Sequence, residues 1–264
     1  MRGWAREVKH TETIRREFSK QANRFGEQGL TLSSQEYLLW MVDVLPLSQA
    51  FWVLDVAAGT GHLSRAIAPH VRQVVAVDMT PAMLEKARAE ARKAGLDNIL
   101  FEECDAIALP YQDDSFDMVV SRLAIHHFEK PHVYLSEMAR VCRPGHAVSV
   151  IDLLSPSDDS LLLTYNRLER LRDPSHVFAL TQTQLIDAMK DAGLAIQRVD
   201  ARVIPVDFDR WIEMTGAEEQ AKITVRNELE QELNGHGQTG MRPYMQDGRL
   251  KFMQTWCIVV GMVF

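Results

Sequence analysis

Apolar runs at residues 53–56, 74–77, 99–103, 118–120 and 147–151 are of strand length and are closed by glycine or polar segments. Between them the apolar spacing becomes helical. Met83, Leu84, Ala87, Ala91 and Ala94 follow Pro81 on one face, and Leu135, Met138, Ala139 and Cys142 do so within residues 133–142. Thr80 is expected to cap the first of these helices, with Pro81 at its first position, and Gly95 to end it. Strands alternating with helices in this way predict an α/β fold built on a mostly parallel sheet. Ahead of it, Ile14, Phe18, Ala22 and Phe25, and then Tyr37, Leu38, Met41 and Leu45, fall at helical spacing. Beyond it, helices are predicted over 158–172 and 181–193. Strands over 196–206 and 255–264 should pair antiparallel at the sheet edge. Residues 209–249, between these two strands, form a long and mostly helical excursion, read as a cap rather than a structureless loop.

The first run leads into the chemistry. It reads Val53-Leu54-Asp55-Val56-Ala57-Ala58-Gly59-Thr60-Gly61-His62, a strand that passes through a glycine turn into a helix. Gly59 and Gly61 allow backbone to approach a ligand where a Cβ would block it. The helix that follows offers its free amides. The second run ends at Asp78, whose spacing from Gly61 is close to the roughly 20 residues expected of the ribose-binding acid in a nucleotide-binding β-α-β unit. The third is followed by Cys104-Asp105-Ala106, which puts a carboxylate within reach of an adenine amino group. A dinucleotide fingerprint needs glycine or alanine where Ser64 stands, which disfavours a nicotinamide-dependent oxidoreductase.

Counted from Asp55, the pattern acidic-any-Ala57-any-Gly59-any-Gly61 resembles the first motif of the class I S-adenosylmethionine (AdoMet) methyltransferases, with alanine for the first glycine. The order and spacing of the motifs over residues 51–152 are similar to the ubiquinone/menaquinone-biosynthesis-like (methyltransferase type 11) branch. That resemblance implies a doubly wound Rossmann-like sheet of seven strands, mostly parallel with an antiparallel edge hairpin, plus a helical cap. It implies a single domain: a lid over residues 1–45, an AdoMet-binding core over 46–152, and a C-terminal half over 153–264 carrying the cap. It further implies that Asp55, Ala57, Gly59 and Gly61 line the methionine moiety, Asp78 and Met79 the ribose and adenine, and Asp105 and Ala106 the adenine edge. Leu123 would lie beneath the cofactor, and S-adenosylhomocysteine would be the product. Phe18, Arg24 and Phe25 become candidates for the lid. Two positions depart from the branch: His146 stands where a second glycine commonly follows Pro144-Gly145, and Cys104 replaces a frequent glycine.

Past the fourth strand, His126 and His127 lie where a transferring methyl is expected, and an imidazole suits the removal of an acceptor's proton. In an extended segment the two would point to opposite sides, so that one faces the acceptor; His127 is taken as the base and His126 as an acceptor contact. A structural role for the pair in its loop is the alternative. Phe25, Arg172 and His176 are further candidates for acceptor contact, although an Asp173-Pro174 turn that ends a helix accounts for the last two equally well. No metal is expected from the spacing of histidines and carboxylates. A net charge of −7 argues against a nucleic-acid partner. No apolar stretch is long enough to span a bilayer, and three widely spaced cysteines suggest no disulfide framework, so a cytoplasmic enzyme acting on a small organic acceptor is expected. The reading from a different class is a module that keeps the nucleotide pocket without catalysis.

Overall fold

Strands covered on both faces read as continuous apolar runs, because each successive side chain enters a different hydrophobic layer. The computed structural model describes residues 2–22, 24, 25 and 30–264. Two helices, α1 (Arg2–Gln21) and α2 (Gln35–Val44), precede β1 (Trp52–Val56). Then come α3 (His62–Ile67), β2 (Gln73–Asp78), α4 (Pro81–Lys93), β3 (Ile99–Glu103), β4 (Phe116–Arg122), α5 (Pro131–Val141) and β5 (Cys142–Leu154). The C-terminal half adds α6 (Asp159–Arg172), α7 (Gln182–Asp191), β6 (Leu194–Asp207), α8 (Phe208–Met214), α9 (Glu219–Leu233), β7 (Tyr244–Gln246) and β8 (Arg249–Val263).

The strands form one sheet in the order β3-β2-β1-β4-β5-β8-β6, and the short β7 pairs with β8. Strands β1 to β5 are parallel, while β8 runs against both β5 and β6. Alternation sorts the side chains. Val53, Val74, Ala76, Met118 and Val120 enter a layer with Trp40 and Met41 of α2 and Leu63 and Ile67 of α3. Leu54, Val75, Val77, Val119 and Val148 enter the opposite layer with Leu135 and Met138 of α5 and Leu185 and Met189 of α7. Full burial of each large aliphatic side chain contributes about 1.5–3 kcal/mol, so the two layers together hold the sheet between its helices.

The expected seven strands are present, and β7 is an addition of three residues within the excursion. The two strands at the C-terminal edge are longer than periodicity indicated. β6 runs from Leu194 and β8 from Arg249, and they stay in register from Leu194 opposite Val263 to Asp207 opposite Lys251, with one irregularity between Ile196 and Arg198. Caps follow sequence at two places. The Asp158 carboxylate accepts from the amides of Ser160 and Leu161, and Thr181 with Gln184 forms a reciprocal capping box. At α4 the expectation fails in its detail: Thr80 occupies the N-cap without a side-chain cap bond, while its own amide donates to the Asp78 carboxylate at 2.8 Å.

The order of the strands reverses beside β1, whose neighbours are β2 on one side and β4 on the other. Open α/β sheets bind ligands outside the carboxyl ends of their strands at such a switch point. Among the described residues no helix is long and apolar enough to cross a membrane.

Candidate active site

At the carboxyl ends of β1, β2 and β3 lies a cavity of about 910 Å³, counted to its opening onto solvent. The loop after β1 is shaped by three left-handed residues: Ala57 and Gly59 both at φ +55° and Gly61 at +72°. At Gly61 there is little room as well, since a Cβ would come within 3.2 Å of the Ala87 Cβ on α4. Asp78 ties this loop to β2. One carboxylate oxygen accepts the Gly59 amide and the other the Thr80 amide, each at 2.8 Å. Asp105 and Ala106 lie past β3 on the same wall, with Met79 and Leu123. Leu123 too is left-handed, at φ +52°.

Asp55 is 1% exposed; it accepts the Ser64 hydroxyl at 2.5 Å on one oxygen, while Oδ1 has no partner among the described residues. Burial pushes its carboxyl up to about 7, against the pull of the Ser64 hydrogen bond and the Arg122 charge. Arg122 lines the same cavity; it donates to the Leu32 carbonyl at 2.6 Å and leaves its Nε without a partner among the described residues. Sequence reasoning missed both Ser64, beyond its failure as a glycine, and Arg122. The available signal for Arg122 was a cation immediately after an apolar strand, at its carboxyl end.

The N-terminal segment packs against this cavity, and Phe18 and Phe25 are among its lining residues. Three hydrogen bonds fasten it. His62 Nε2 donates to the Phe25 carbonyl at 2.8 Å, His10 Nε2 to the His127 carbonyl at 2.8 Å, and Arg24 to the Glu213 carbonyl at 2.7 Å. Burial, and then the Arg122 charge, lower the His62 pKa to about 4, so its ring is neutral at neutral pH.

A second cavity of about 740 Å³ adjoins the first and shares Phe18, Phe25, Leu32, Leu123 and His127 with it. Ile125–His127 is a 3-10 turn, not the extended segment that alternation suggested, so the two imidazoles stand side by side with centroids 4.1 Å apart. The turn forms because the left-handed Leu123 redirects the chain at the end of β4. His126 faces the second cavity; its Nδ1 donates to Asp152 Oδ1 at 2.6 Å. Burial opposes its charge, but the Asp152 carboxylate outweighs that, and the pKa is raised above the ordinary histidine value. His127 faces both cavities and donates from Nδ1 to the Ser175 carbonyl at 3.1 Å. Burial and the neighbouring His126 drive its pKa down to about 3, which makes it a poor proton acceptor at neutral pH.

Arg172 lines the second cavity, bound to Glu169 and to the Trp211 carbonyl, both at 3.1 Å. His176 is placed otherwise. It lines neither cavity and donates from Nε2 to Asn166 Oδ1 at 2.8 Å, bracing the turn after α6; burial and the nearby positive groups lower its pKa.

A family model described as a methyltransferase domain matches residues 53–145, the span that supplies most of the first cavity's lining. An uncharacterized methyltransferase, YcgJ of Bacillus subtilis, is 33% identical over 199 residues, covering 75% of this chain and 78% of the relative. The chain belongs to the class I AdoMet-dependent methyltransferases. The crystal structure of YcgJ superposes with a TM-score of 0.79 at 28% identity, covering 87% of this methyltransferase and 99% of that chain. A ubiquinone/menaquinone biosynthesis C-methyltransferase, UbiE of Bdellovibrio bacteriovorus, is 37% identical over 146 residues, 53% of this chain and 62% of that protein. The phosphoethanolamine N-methyltransferase 2 of Haemonchus contortus, solved in complex with AdoMet, shares the fold at a TM-score of 0.58 and 18% identity, covering 91% of this methyltransferase and 55% of that chain.

Proposed function

We propose that the chain binds AdoMet in the first cavity and transfers its methyl group to a small organic acceptor held in the second. The observation that carries this reading is the set of acids at the tips of three parallel strands around a left-handed loop, in a cavity that opens onto another. The residues fit the cofactor. Asp55 Oδ1 is a buried acceptor and Arg122 Nε a buried donor, both without partners among the described residues, which is the pair an α-ammonium and an α-carboxylate need. Each oxygen of Asp78 uses one lone pair on a backbone amide and keeps another for a ribose hydroxyl. Asp105 and Ala106 would meet the adenine edge, Met79 its face, and Leu123 would support the cofactor from below.

When bound, AdoMet supplies a methyl already activated on a sulfonium. The chain then has to place a nucleophile in line with it and keep water away. Phe18 and Phe25 close the junction between the cavities, and the His62 and His10 hydrogen bonds hold them there. The division of labour follows: residues 1–45 serve as lid, 46–152 as cofactor core, and about 209–249 as a cap beside the acceptor.

Calorimetry tests this reading. AdoMet and S-adenosylhomocysteine should bind and NAD should not. Asp78→Ala should weaken AdoMet binding by roughly 1.5–3 kcal/mol, the scale for lost hydrogen bonds to a charged group. Unchanged affinity in that variant, or binding of NAD alone, would overturn it.

A further inference from the structure

The polar groups of the second cavity are of two kinds, and the difference between them describes the ligand it would suit. The cavity's charged groups are matched within the protein. His126 is paired with Asp152 at 2.6 Å, and Arg172 with Glu169 at 3.1 Å, its guanidinium 4.8 Å from the centre of the Trp211 ring. Asp173 accepts the Ser175 amide at 2.9 Å and the Ser175 hydroxyl at 2.5 Å. Asp207 accepts the Arg210 amide at 3.1 Å and meets Arg249 at 3.7 Å. The groups left without partners among the described residues are neutral: both atoms of the Gln21 amide, 1% exposed, and Trp211 Nε1, 6% exposed. Buried polar groups left unmatched carry a desolvation cost that a bound ligand would remove.

The rest of the wall is aromatic and apolar, with Phe18, Phe25, Trp256 and Leu153 around the space. His126 completes the picture. With Nδ1–H committed to Asp152, the ring keeps its lone pair at Nε2.

Resting on the cofactor reading above, we propose that the second cavity selects an uncharged acceptor bearing an ionisable hydroxyl, anchored by Gln21 and Trp211, and that His126, oriented by Asp152, removes the hydroxyl proton. The acceptor oxygen forms the new bond to the methyl carbon, and the electron pair of the broken carbon–sulfur bond stays on sulfur. The hydroxyl proton passes to His126 Nε2, and the resulting imidazolium is offset by Asp152 before it loses the proton to water. His127, the base expected from sequence, is left as the wall between the cavities, since its depressed pKa makes it the weaker proton acceptor of the two. The groups around His126 are Asp152 on β5, Glu169 and Arg172 on α6, Asp173 and His176 after it, and His127 beside it. The acids outweigh burial and the other cations, so His126 becomes a competent base only as pH rises above the ordinary imidazole value of about 6.5.

The test uses naphthalene derivatives as probes with the full chain saturated by S-adenosylhomocysteine. 1-Naphthol should bind at least tenfold more tightly than the anion 1-naphthoate or the cation 1-naphthylmethylammonium. Gln21→Leu, and separately Trp211→Phe, should each remove about tenfold of the naphthol affinity, while S-adenosylhomocysteine affinity holds within twofold. With labelled AdoMet, methyl transfer to 1-naphthol should rise with pH along a single acidic limb. Asp152→Asn should lower turnover about 100-fold at pH 7.5 and move that limb to lower pH. Naphthol bound no better than its charged analogues overturns the acceptor assignment. A bound naphthol that receives no methyl, or a limb that stays in place in Asp152→Asn, overturns the role of His126. Failure of AdoMet itself to bind would instead sink the cofactor reading, so the two failures are distinguishable.

Discussion

Ala57 adopts φ +55°, a conformation that costs an L-residue roughly 1–2 kcal/mol relative to glycine. It stands in the loop whose other turning points, Gly59 and Gly61, avoid that cost. Ala57→Gly should therefore raise stability in thermal unfolding, by about 0.5–1 kcal/mol once the greater freedom of glycine in the unfolded chain is deducted; a lowered midpoint would show that the alanine methyl is needed where it packs. At this scale the cofactor loop was legible, because small residues at fixed spacing after an apolar strand leave few other uses. Asp78 and Asp105 were legible for the same reason, each close behind a recognisable strand. Ser64 and Arg122 were not. The worth of a serine beneath a buried carboxylate, or of an arginine folded under a lid, depends on neighbours that no local pattern announces. The histidines show the same limit: their positions could be read, but their pKa values are set by Asp152 and by burial.

Elements differ in how plainly they were written. Strands β1, β2 and β4 are covered on both faces, and their runs of valine and leucine mark them out. Strand β6 exposes Arg198, Val199, Arg202 and Val203 along its middle, so its pattern is weak, whereas β8 alternates from its start at Arg249, and the expected ends of both fell short. The turn at Ile125–His127 was hidden because its cause, a left-handed Leu123, is an uncommon state for leucine. The N-terminal segment was read as helical, and its contacts now specify how it closes. Arg24 reaches the carbonyl of Glu213 near the end of α8, joining this segment to the excursion between β6 and β8. Its side chain is exposed, so Arg24→Ala should leave the melting temperature within about 1 °C. The same change should loosen the closure, weakening AdoMet affinity several-fold and speeding proteolytic clipping of the N-terminal segment. Unaltered clipping and affinity would mean that the His62 and His10 hydrogen bonds suffice.

For the whole molecule, the parallel sheet fixes where binding occurs, since the strands of the cofactor core all end at one edge and reverse their order beside β1. The antiparallel β8 and the excursion before it build the second cavity against that edge, through Trp211, Met214, Gln254 and Trp256. The first cavity is lined by residues of the N-terminal half, the second draws on both halves, and the two meet at Leu123 and His127. The most direct test of this arrangement is a crystal structure of the chain with S-adenosylhomocysteine. The ribose hydroxyls should lie on Asp78, the adenine beside Asp105, and the sulfur at the Leu123–His127 wall, open toward Gln21 and His126. A first cavity that stays empty, or a nucleoside whose sulfur points away from the second cavity, would contradict the account.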